Sequence, residues 1–91
     1  MKIQYEIIIK GRVQGVSFRM FAQKRAKEYN ITGWVKNMPD GSVKVNACGN
    51  EADIKLFIDA LNSGPPMGNV YELIKSRIVK PEAFDDFKIK Y

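Results

Sequence analysis

Apolar and polar residues alternate along the first ten positions. Ile3, Tyr5, Ile7 and Ile9 share one side of an extended chain, and Gln4, Glu6 and Lys10 lie mostly on the other. That is the period of a half-buried strand. The period then lengthens. Phe18, Ala22, Ala26 and Tyr29 recur at helical spacing, with Gln23, Lys24, Lys27 and Glu28 outside, which predicts a helix from 19 to 29. Asn30 tolerates the left-handed conformation and is the expected stop. Residues 31–38 read as a second strand. Pro39-Asp40-Gly41 then supplies turn chemistry, because proline presets φ and glycine accepts positive φ. Val43, Val45 and Ala47 alternate with Lys44, Asn46 and Cys48, so strands two and three are expected to form a hairpin.

Asn50 is a good N-cap, with Asp53 three residues on in a near capping box. Ile54, Phe57, Ile58 and Leu61 follow at i, i+3, i+4 and i+7, and Gly64-Pro65-Pro66 ends that helix. Residues 70–79 read as a fourth strand. Phe87, Ile89 and Tyr91 alternate with Lys88 and Lys90 in a short terminal strand. The order β-α-β-β-α-β plus a final strand predicts an α+β, ferredoxin-like split βαβ fold. Two helices should cover one face of a mostly antiparallel sheet, within a single domain spanning 1–91. In such a sheet strands one and three are central and strand two lies at an edge. The loop after strand one would then reach the end of strand two only if the hairpin leaned towards it.

Composition narrows the chemistry. With 45% hydrophobic and 27% charged residues the chain is ordinary globular material. It has no histidine and one cysteine, Cys48, so Cys/His zinc sites, Ser-His-Asp triads and internal disulfides are excluded. Cys48 alternates with core positions and lacks an activating base, which disfavours a nucleophile. Asp53, Asp59, Asp85 and Asp86 read as solvated helix and loop residues, not a metal cage. No apolar run exceeds three residues, and the first ten carry Gln4, Glu6 and Lys10. Neither a membrane span nor a signal peptide fits, and a cytoplasmic protein is expected. The net charge of +5 suits an anionic partner, or simply a lysine-rich surface.

The candidate chemistry lies in Gly11-Arg12-Val13-Gln14-Gly15-Val16-Ser17-Phe18-Arg19, between the first strand and the first helix. Glycines let the backbone curl, and a helix N-terminus offers unpaired N–H groups. A guanidinium there makes sense if an oxyanion sits between it and the positive end of the helix. The segment is neither a Walker A loop nor a three-glycine dinucleotide fingerprint. On its own Arg19 fits an anion ligand or an outward arginine equally. Asn37, near the turn, fits a backbone role or an amide that orients water. Trp34 reads as a packing residue.

Taken together, Gly11 to Arg19, Gly33-Trp34-Val35-Lys36-Asn37, Asp40-Gly41-Ser42-Val43 and the closing Phe87-Lys88-Ile89-Lys90-Tyr91 resemble the acylphosphatase family over essentially the whole chain. The resemblance implies the same ferredoxin-like fold and the hydrolysis of acyl phosphates to carboxylate and phosphate. By motif position, Arg19 would bind the phosphate, Asn37 would position the attacking water, and the backbone of Gln14, Gly15, Val16, Ser17 and Phe18 would form the phosphate cradle. It also implies that the loop and Asn37 meet. No cofactor or metal is expected, because a carboxylate leaves readily and the reaction mainly requires positioning and charge stabilisation. The expected partner is a small acyl phosphate met by a monomer, with no membrane, and with nucleic acid disfavoured.

Two other readings stand beside this one. A ferredoxin-like domain could bind RNA on its sheet face, although the aromatic RNP pattern is absent, and Tyr5, Trp34 and Tyr71 would stack bases only if they faced solvent. Alternatively, the chain could be a regulatory or maturation domain like that at the start of hydrogenase-maturation carbamoyltransferases. A chain of this length beginning at Met1 argues for a self-standing enzyme.

Overall fold

Each change of period in the sequence becomes a change of element. The computed structural model describes residues 2–91. Strand β1 (Lys2–Arg12) leads into helix α1 (Phe18–Glu28). A hairpin of β2 (Thr32–Asn37) and β3 (Val43–Asn50) follows, then α2 (Glu51–Ser63), β4 (Asn69–Arg77) and β5 (Phe87–Lys90). The strands form one sheet in the order β4-β1-β3-β2-β5. Only the β2–β5 pairing is parallel; the other neighbours run antiparallel. The α+β, ferredoxin-like expectation is met.

Strand two differs from expectation. It is not an edge, because β5 returns beside it, with Gly33 opposite Phe87 and Val35 opposite Ile89. Periodicity assigns faces but not neighbours, so a four-residue strand could not announce this pairing. Gly33 lies at φ +136°, and a Cβ there would overlap the carbonyl oxygen of Asn46, so only glycine fits. Its amide donates to Asp86 O at 2.9 Å, where β5 begins.

The core lies between the sheet and the helices. Ile3, Ile7, Ile9, Val35, Val43, Val45 and Ala47 project from the strands against Phe18, Ala22 and Ala26 of α1 and Ile54, Phe57 and Leu61 of α2. The two alanines let α1 lie close to β2 and β5. Gln23 Nε2 fastens it by donating to Phe87 O at 3.1 Å. Phe57 meets Phe87 edge-on, with ring centroids 5.7 Å apart. Asn30 ends α1 at φ 58°, as its residue type predicts. Asn50 does stand at the N-cap of α2, yet its side chain makes no cap bond and the box with Asp53 is not formed. Asn50 is also the last rung of the β1–β3 ladder, opposite Lys2, so the strand sets its orientation.

Gln4 departs from its expected setting. It belongs to the polar side of β1 but is fully buried. The connection from β4 to β5 has to cross from one sheet edge to the other, and it closes over this end of the open face. Gln4 answers it from both ends of its amide. Its Oε1 accepts from Glu82 N at 2.6 Å, and its Nε2 donates to Asn46 Oδ1. Its backbone oxygen accepts from Ile78 N at 2.9 Å. Trp34 is half-buried on the same face, with Lys90 Nζ 4.5 Å above its ring. Tyr5 pairs across β3 in line with the helix-covered residues, so Tyr5 and Trp34 lie on opposite faces. Tyr71 of β4 is exposed, but Tyr5 and Trp34 cannot form one stacking platform, which weakens the RNA reading.

Replacing Gln4 by Ala leaves the buried Asn46 Oδ1 and the Glu82 amide without their partner. Urea denaturation should show a loss of about 1–3 kcal/mol; an unchanged midpoint would mean that water replaces the Gln4 amide at no cost.

Candidate active site

The register of the sheet brings the loop and Asn37 together. Ile9 and Asn37 both lie opposite Val43, one on each side of it. Because β1 and β2 are each antiparallel to β3, they run parallel to one another and end at the same margin of the sheet. They are separated by a single strand, or roughly 10 Å. No leaning of the hairpin is required. Alternation also puts Asn37 on the helix-covered face, in line with Val35 and Val45. That is the face onto which the β1–α1 loop opens.

Two left-handed residues shape the loop, Gly15 at φ 74° and Ser17 at φ 61°. Gly15 has free space where a Cβ would go, so conformation and not crowding favours glycine there. Ser17 occupies the N-cap of α1 without capping it through its side chain. Among the described residues, the amides of residues 15–18 donate to no protein acceptor. Successive amides curled by left-handed residues, at the N-terminus of an eleven-residue helix, make an anion-binding concavity. Phe18 is buried and Val16 packs against the core, which anchors the loop by its side chains and leaves its backbone to face outward.

Gln14 supplies a second anchor. Its Nε2 donates to Met38 O and to Ser42 O, each at 2.8 Å, tying the loop to the β2–β3 turn. Asp40 braces that turn by accepting from Ser42 Oγ at 2.6 Å and Ser42 N at 3.0 Å. These bonds hold its carboxyl below the usual aspartate value.

A cleft of about 360 Å³ opens here, lined by Gly15, Ser17, Phe18, Arg19, Asn37 and Tyr91 among others. Arg19 is its one charged side chain. The guanidinium is held from β5: Nη1 donates to Lys90 O at 3.1 Å, and Cζ lies 4.6 Å from the centre of the Tyr91 ring. Asn37 Oδ1 is buried and accepts no hydrogen bond among the described residues. An acceptor so buried costs about 1–3 kcal/mol unless a donor meets it. Arg19 and Asn37 therefore share a cleft with Gly15, Ser17 and Phe18 of the loop. Gln14 and Val16 are set back from it. Sequence reasoning overlooked the Gln14 side chain and Tyr91; the alternation of Phe87, Ile89 and Tyr91 already put Tyr91 on the correct face.

A guanidinium beside unpaired loop amides, on a ferredoxin-like sheet, is an arrangement suited to an oxyanion in an α+β domain. Comparison with known proteins narrows the class: the acylphosphatase family model matches residues 5–89, and the chain belongs to that family. It is 42% identical over 91 residues to an acylphosphatase of Geotalea uraniireducens, covering 100% of both chains. It is 40% identical over 89 residues to one of Bacillus licheniformis, covering 98% of this chain and 99% of that one. The crystal structure of acylphosphatase from Bacillus subtilis superposes with a TM-score of 0.95 at 39% identity, covering 98% of this chain and 99% of that one.

Gln14→Ala should leave the fold intact but free the loop from the turn. With two bonds worth about 1 kcal/mol each, kcat/KM for benzoyl phosphate should fall roughly tenfold or more. Unchanged kinetics would show that Val16 and Phe18 hold the loop unaided.

Proposed function

We propose that the chain hydrolyses the carboxyl–phosphate bond of acyl phosphates by direct attack of water. The observation that carries this reading is the buried, unpartnered Oδ1 of Asn37 in the same cleft as Arg19 and the loop amides. Amides of the loop and the planar guanidinium would bind the equatorial phosphate oxygens and stabilise the charge that gathers there. Asn37 is a neutral amide and takes no proton. Its Oδ1 would accept from a water and its Nδ2 would donate to it, which fixes the line of attack. The water oxygen forms a bond to phosphorus as the bond to the acyl oxygen breaks, and the electron pair leaves with the carboxylate. The proton of the water passes to a phosphate oxygen. No phosphoenzyme is required.

Held by Lys90 O and stacked on Tyr91, Arg19 is preorganised before substrate arrives, so less ordering remains at the moment of reaction. No helix among the described residues is long and apolar enough to cross a membrane. A single buried, free Cys48 suits the reducing cytoplasm.

The test is the hydrolysis of benzoyl phosphate followed by ultraviolet absorbance, with and without EDTA. Arg19→Ala and Asn37→Ala, each shown to be folded, should lose about 100- to 1,000-fold in kcat, and EDTA should have no effect on the parent. Variants that keep their rate would refute the assigned roles. A folded parent without turnover would refute the activity.

A further inference from the structure

In-line displacement dictates where the acyl half of the substrate must lie. The leaving oxygen departs on the side of phosphorus opposite the attacking water, hence away from Asn37. A second groove, of about 470 Å³, adjoins the cleft at the start of α1. It shares Ser17 and Met20 with the cleft, does not touch Asn37, and is otherwise lined by Phe21, Gln23, Lys24, Lys27 and Pro65.

The groove follows helix α1. Residues 17, 20, 24 and 27 recur at helical spacing and form one stripe. At 1.5 Å of rise per residue, Lys24 and Lys27 stand roughly 6 and 10 Å further along the axis than Met20. The wall nearest the cradle is apolar, made by Met20, Phe21 and Pro65, and Met20 is 67% exposed. The far end is cationic. Lys24 and Lys27 are exposed, and no carboxylate lines the groove. Glu28, the acid nearest in sequence, is engaged by Arg25 at 2.7 Å.

We propose that this groove holds the acyl chain, and that it selects acyl phosphates carrying a second anionic group at the far end of a short apolar stem. The stem lies on Met20, Phe21 and Pro65, and the distal anion meets Lys24 and Lys27. The inference rests on the acyl phosphate reading above and names the substrate class within it.

A matched pair of substrates tests it. Glutaryl phosphate and pentanoyl phosphate have the same chain length and differ by a terminal carboxylate. At low salt the parent should turn over glutaryl phosphate with a kcat/KM about fivefold higher or more, a preference that shrinks near 0.5 M salt. The double variant Lys24→Gln/Lys27→Gln should lose most of that preference through glutaryl phosphate alone, with pentanoyl phosphate unchanged. Lys80→Gln/Lys88→Gln removes the same net charge elsewhere and should retain the preference. The proposal is overturned if the parent shows no preference, if the first variant lowers both substrates equally, or if the second variant abolishes the preference as well. Benzoyl phosphate separates the two levels: its continued turnover with no glutaryl preference rejects the groove alone, whereas its absence rejects the activity on which the groove depends.

Discussion

Everything in the site depends on one register. Val43 sits between Ile9 and Asn37, so the ends of β1 and β2 are level and face the same way. Once β5 joins β2 in parallel, a third strand ends at the same margin. The loop, Asn37 and the backbone partner of Arg19 then come from the ends of β1, β2 and β5 at one margin of the sheet. A slip of one residue in the hairpin would turn Asn37 to the open face and bring Lys36 or Met38 towards the cleft. The buried alternation of Val35, Val43 and Val45 opposes such a slip, so core packing and site geometry are enforced by the same residues.

The cleft reflects a division of labour between side chain and backbone. In the loop, Val16 and Phe18 face the core and Gln14 grips the neighbouring turn. Their role is to hold the chain while its amides remain free. Arg19 contributes a cation that would otherwise be poorly placed near the positive end of a helix. Tyr91 and Lys90 O hold it there, leaving the rest of the guanidinium fork for an anion.

Much of this was legible in the sequence because periodicity reports faces. Ile7, Ile9 and Ile54 to Leu61 showed their buried sides directly, and the Gly15–Arg19 segment announced a curled loop before a helix. What stayed hidden was non-local. That β5 flanks β2 depends on a parallel pairing with no turn to signal it. The burial of Gln4 depends on a connection that approaches from seventy-eight positions away in sequence. The approach of the loop to Asn37 depends on two ladders sharing Val43. The resemblance carried by the motifs implied that contact, and the strand order supplies its physical reason.

The central claim is that the loop amides, Arg19 and Asn37 face a single oxyanion. Titrating inorganic phosphate into nitrogen-15-labelled protein tests it most directly. Saturable shifts should appear together at the amides of residues 15–18, the Arg19 guanidinium and the Asn37 side-chain amide, and should vanish in Arg19→Ala. Shifts confined to lysines of the open sheet face, with the loop silent, would contradict the account.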